Sequence, residues 1–124
     1  MSKVVIGTEA EVEIRQRLME LARRADQGET LPEADYHLNF ADAVHLFSEL
    51  TPQRLRILET LKQSRTQSVY ALAKCLGCHY STVYHDVQRL IQLDLIAKDE
   101  GGRVYVPWEV IEIRVTLAAQ QSAA

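Results

Sequence analysis

The chain has 124 residues, of which 47 % are hydrophobic and 25 % charged, with a formal net charge of −3 and two cysteines. These values suit one folded domain with its own core and exclude a disordered tail or a disulfide-stapled secreted scaffold. The small net charge hides an asymmetry: residues 1–50 carry five Lys or Arg against ten Asp or Glu, residues 51–93 six against two, and residues 94–124 three against five. A basic middle inside an acidic chain can still present a footprint for phosphate.

The N-terminal stretch MSKVVIGTEAEVEIRQRL lacks the apolar core of a signal peptide, and no segment approaches the roughly 18 apolar residues of a membrane span. A cytoplasmic protein without a membrane partner is expected. Lys3–Ile6 (KVVI) reads as a short edge strand. From Glu9 to Gln27 the pattern is helical, with Ile14, Leu18, Leu21 and Ala25 forming one apolar stripe and Gly28 placed to end it. GETLPEAD (28–35) has no period and serves as a linker, so residues 1–35 read as an N-terminal extension.

Tyr36, Leu38 and Phe40 alternate with polar neighbours, a brief strand, and Ala41–Leu50 reads as a short helix. Thr51-Pro52 is a restart signal: a hydroxyl at the cap, then a proline at the first helical position, where its missing N–H costs nothing. The helix that follows is expected to bury Leu55, Leu58 and Leu61. SRTQS (64–68) is a polar turn whose Ser68 can cap a second helix over Val69–Leu76. Gly77 breaks that helix, and a longer one runs from about Tyr80 to Leu93 with Val83, Val87 and Leu90 inward. Leu95–Lys98, a D-E-G-G turn and Arg103–Val106 form a hairpin. Val110–Leu117 (VIEIRVTL) alternates as a strand does, with a helix as the alternative. Residues 36–117 therefore form the main domain, and AAQQSAA (118–124) a frayed tail.

Cys75–His79 (CLGCH) has the spelling of a c-type haem attachment site, but such attachment requires export, for which no signal is visible. A structural zinc site wants four ligands, commonly with a second Cys or His pair, and none accompanies Cys75, Cys78 and His79 or His85. No cofactor is expected. Ala73, four residues before Gly77, supplies the small contact that two closely crossing helices need, while Leu72, Leu76, Cys78, Val83, Val87 and Leu90 fill the wedge, with Cys78 as a small apolar plug. Helix, polar turn, short helix, glycine turn, long helix, hairpin is the order of a winged helix-turn-helix.

The stretch TPQRLRILETLKQ…SVYALAKCLGCHYSTVYHDVQRLIQLDLIAKDEGGRVYVP (51–107) resembles the winged helix-turn-helix transcriptional regulators of the MarR-like kind. Its flanks, FADAVHLFSELTPQRLRIL and VPWEVIEIRVTL, are similar to a small prokaryotic subgroup of DNA-binding proteins that includes predicted antitoxins. One departure is that Cys78 and His79 stand where charged or capping residues are expected. The resemblance implies an α+β, mainly α protein: a winged helix-turn-helix with an N-terminal helical extension and a C-terminal strand. It also implies a sequence-specific regulator that binds double-stranded DNA as a homodimer, with a small toxin as a further partner. No acid-base pair, nucleophile triad or phosphate loop is visible in the sequence, so no enzyme is expected.

On the long helix, Tyr80, Ser81, Thr82, Tyr84, His85 and Gln88 offer hydroxyl, imidazole and amide groups suited to base edges or phosphates, and Arg89 a phosphate contact. Asp86 among them is expected to turn toward Lys74 or Arg89. Lys98 and Arg103 flank the hairpin tip and could reach the minor groove or backbone. Arg54, Arg56, Lys62 and Arg65 are further phosphate candidates. Two other readings use the same fold: a protein-interaction module that binds a toxin without DNA through the acidic N-terminal region, and a metal- or thiol-responsive regulator using Cys75 and Cys78.

Overall fold

The computed structural model describes residues 2–31 and 35–117. Within them the chain forms five helices and six strands, an α+β protein. It divides into two compact units, one built from Lys3–Phe47 together with the segment from Val110 onward, the other from Ser48–Glu109. The division expected at 35/36 differs because two strands beyond it, at 36–39 and 110–114, pair with the N-terminal strand at 3–7. The tail at 118–124 lies outside the described residues, as does the middle of the linker.

The first unit holds a three-stranded sheet in which β1 (Lys3–Gly7) lies between β2 (Tyr36–Asn39) and β6 (Val110–Arg114). Both pairings are parallel, and Ile6 sits opposite Leu38 on one side and Ile113 on the other. KVVI is thus the central strand and not an edge. An unbroken apolar run is what a strand covered on both faces requires, and Val4, Val5 and Ile6 are all buried. Parallel neighbours need a crossover, which helix α1 (Glu11–Asp26) supplies between β1 and β2. α1 buries none of its residues. Its expected stripe is only half covered: Ile14 and Leu21 are half-buried, while Leu18 is 55 % exposed. Helix α2 (Ala43–Glu49) follows, and the division between the units falls within it.

In the second unit, helix α3 (Pro52–Ser64) begins as read: the Thr51 hydroxyl accepts the Arg54 N–H at 3.2 Å, with proline in the first turn. Ile57, Leu58 and Leu61 are buried, and Leu55 is only half-buried, so Ile57 takes the inward place expected of it. The polar turn at 64–68 contains a further strand, β3 (Thr66–Gln67). It pairs antiparallel with β5 (Val104–Tyr105), whose other neighbour is β4 (Ala97–Lys98). A two-residue polar edge strand has no periodicity to betray it. Between these lie helices α4 (Val69–Leu76) and α5 (Tyr80–Gln92). Leu72, Ala73, Val83, Val87, Leu90, Leu95, Ile96 and Val104 are buried. Cys78 is half-buried and not the core plug expected of it. No described helix is long and apolar enough to cross a membrane.

Candidate nucleic-acid interface

The junction between α4 and α5 is built from local sequence. The Ser68 hydroxyl accepts the Ala71 N–H and starts α4. Gly77 ends it with φ 66°, a left-handed conformation that costs a side-chain-bearing residue about 1–2 kcal/mol. There the Gly77 N–H bonds Lys74 O and the Cys78 N–H bonds Ala73 O, satisfying carbonyls the helix end would leave open. His79 then stands at the start of α5 without a side-chain hydrogen bond to the first turn, so no cap oxygen covers the donors of that turn.

Val83, Val87 and Leu90 are fully buried, which fixes the rotation of α5. Ser81, Thr82, Tyr84 and His85 are exposed and Gln88 half-buried. Residues three and four apart share a helix face, so Ser81, His85, Gln88 and Gln92 run along the side opposite the buried stripe. Tyr80 and Tyr84 stack on one flank with ring centroids 6.0 Å apart, and the Tyr84 ring meets His85 edge-on. Tyr70 on α4 is 62 % exposed, with Lys74 Nζ 5.4 Å from its ring centre.

The other flank of α5 carries its charges, and both are engaged. Arg89 makes a bidentate pair with Glu49, Nε to Oε2 at 2.7 Å and Nη2 to Oε1 at 2.9 Å, while its Nη1 donates to Gln92 Oε1 at 3.0 Å. That hydrogen-bonded pair raises the Arg89 pKa above its ordinary value. Asp86 accepts from Arg54 Nε at 3.0 Å, and not from Lys74 or Arg89 as expected. Arg54 also donates through Nη1 to the Glu49 carbonyl at 2.8 Å and carboxylate at 3.3 Å. Lys62 is tied to the Trp108 and Glu109 carbonyls at 2.7 and 2.9 Å.

Arg56, Arg65, Lys74, Lys98 and Arg103 remain exposed. The β4–β5 turn is held by Asp99, whose Oδ1 accepts the N–H groups of Gly101 and Arg103, each at 2.9 Å. Lys98 and Arg103 flank that turn. Cys75 is exposed, and the Cys78 sulfur accepts from Gln53 Nε2 at 3.2 Å. Among the described residues, no group of three or more His, Cys, Asp and Glu side chains is arranged to hold a metal ion.

The sequence reading missed Gln92 and Tyr70. Gln92 was legible, since it lies four residues beyond Gln88 and seven beyond His85. Tyr70 occupies an outward position on a helix read only for its core. The ion pairs through Glu49 were not legible, because Glu49 is forty residues from Arg89 along the chain.

The model of the HVO_A0114 family matches residues 49–113, just over half of the chain, and the chain belongs to that family. No curated protein and no solved structure matches it.

Proposed function

We propose that this protein is a sequence-specific transcriptional regulator that binds double-stranded DNA and catalyses no reaction. In this reading α3–α5 with the β3–β5–β4 sheet are a winged helix-turn-helix of the MarR-like kind. The observation that carries it is the outward stripe of α5: Ser81, His85, Gln88 and Gln92, polar and rich in donors and acceptors, opposite three fully buried side chains. Groups of this chemistry suit base edges in a major groove. Tyr80, Tyr84, Thr82 and the open first turn lie where flanking phosphates would run. Lys98 and Arg103 bring positive charge to the β4–β5 turn, the wing, against the minor groove or backbone. The exposed cations elsewhere in the unit supply the sequence-independent attraction.

Two copies would read two half-sites about 34–36 Å apart. The α1 helix, with Val12, Leu18 and Met19 more than half exposed, offers apolar surface for such pairing. The protein works in the cytoplasm, without membrane or cofactor.

The test is a mobility shift with the gene's own upstream DNA over a salt series. Log affinity should fall linearly with log salt, at a slope matching about 6–10 phosphates per dimer. Ser81→Ala, His85→Ala or Gln88→Ala should change which sequences bind, whereas Arg103→Ala should weaken all sequences alike and flatten the slope. Absence of binding at low salt would refute the proposal.

The same exposed apolar side chains, set in a segment carrying ten acids against five bases, favour a second reading in which the chain is an antitoxin that binds a small basic toxin. Copurification of such a protein with wild type but not with Leu18→Asp would support it.

A further inference from the structure

We propose that Arg89 and Asp86 position α5 and do not themselves contact DNA, with Glu49 as the residue that fixes them both. This rests on the DNA-binding reading above and assigns roles within that site. Thr82, Asp86 and Arg89 share one flank of α5, and the two charged members of that flank are drawn toward the end of α2 and the start of α3. All three nitrogens of the Arg89 guanidinium are engaged, two by Glu49 and one by Gln92. To reach a phosphate, this side chain would have to give up a bidentate, charge-assisted pair, the strongest kind of side-chain hydrogen bond. A lone phosphate contact would replace one such interaction with another and add little.

Arg54 does the complementary work. Asp86 is the single acidic side chain of α5, and facing DNA it would repel the backbone. Arg54 neutralises it at 3.0 Å and ties the same guanidinium to Glu49. Glu49 therefore receives both arginines. The side chains of Glu49, Arg54 and Asp86 are only 16–20 % exposed, so these pairs are better shielded from water and salt than ordinary surface pairs. Removing Arg54 leaves the half-buried Asp86 without its cation, and removing Glu49 leaves Arg89 without its carboxylate. The network clamps α5 from one side and leaves Ser81, His85, Gln88 and Gln92 as the stripe that reads sequence.

A double-mutant cycle on duplex binding separates positioning from contact. Glu49→Ala, Arg89→Ala and the double variant of the full chain are compared by three readouts. These are affinity for the cognate duplex, the ratio of cognate to random-duplex affinity, and the slope of log affinity against log salt. Positioning predicts that each single change lowers cognate affinity about tenfold and that the double change costs no more than either. Random-duplex affinity and the salt slope should hold. A salt slope shallower by about 0.9 in Arg89→Ala alone, with Glu49→Ala binding every duplex more tightly, would overturn the inference and make Arg89 a phosphate contact. Should the alanine variants not fold, Glu49→Gln and Arg89→Lys give the same two-way outcome. Wild type that retains no duplex at low salt overturns the DNA-binding reading itself.

Discussion

In the Ser48–Glu109 unit each of α3, α4 and α5 commits a stripe of apolar side chains to the interior: Ile57, Leu58 and Leu61 from α3, Val69, Leu72 and Ala73 from α4, and Val83, Val87 and Leu90 from α5. In the other unit the burial is concentrated in β1, and α1, the longest helix among the described residues, buries nothing. Each α3–α5 stripe is held on several sides, whereas α1 spends much of its apolar surface on solvent. A helix can thus be amphipathic for two different reasons. One is to close its own unit's core, and the other, in the proposed dimer, is to leave a face for a second copy.

The sharpest way to break that contrast is a matched pair of truncations. Leu90→Ala should lower unfolding free energy by about 2–5 kcal/mol, because a cavity opens at a fully buried site. Leu18→Ala should stay within about 0.5 kcal/mol while raising the concentration at which the chain self-associates, read by sedimentation. Equal losses at both positions would end the distinction. Gly77→Ala is the next largest effect, about 1–2 kcal/mol by chemical denaturation. Nothing lies within 4 Å of the added carbon, so the cost is backbone conformation alone. The caps come next: Thr51→Ala and Ser68→Ala should each cost about 1 kcal/mol, since each removes an acceptor from a helix start.

The smallest effect belongs to the sheet unit. Burial, and after it the Arg17 guanidinium, hold the His37 pKa below its ordinary 6.5. The unfolded chain therefore takes up this proton first as the solution is acidified. Stability is fully present above pH 6.5 and declines as pH falls through the folded value. His37→Gln should remove that part of the acid slope in thermal melts, and an unchanged slope would show that His37 is not its source.

Much of the Ser48–Glu109 unit was legible from sequence because its determinants are local. Thr51-Pro52, Ser68 and Gly77 each act within one turn of their own position, and the spacing of Val83, Val87 and Leu90 gives the rotation of α5 without knowledge of its neighbours. The outward residues Ser81, His85 and Gln88 follow from that rotation. KVVI, by contrast, showed strand character but not rank, since nothing local distinguishes an edge from a centre. That rank depends on β6, whose Ile113 pairs with Ile6 from more than a hundred residues away. β3 was hidden for a related reason: two polar residues become a strand only when Val104 and Tyr105 arrive beside them.

Charge shows the same boundary. The sequence supplied the arginines and their place in a basic segment, and so the expectation that they would meet phosphate. Only the tertiary structure brought Glu49 to Arg89 and Arg54 to Asp86, converting two of those cations from free charges into ties. Caps, glycine turns and helical faces are decided within a few residues by backbone geometry and periodicity, so the order of amino acids determines them. Strand neighbours and ion-pair partners are decided by proximity across long stretches of chain, which exists only after folding.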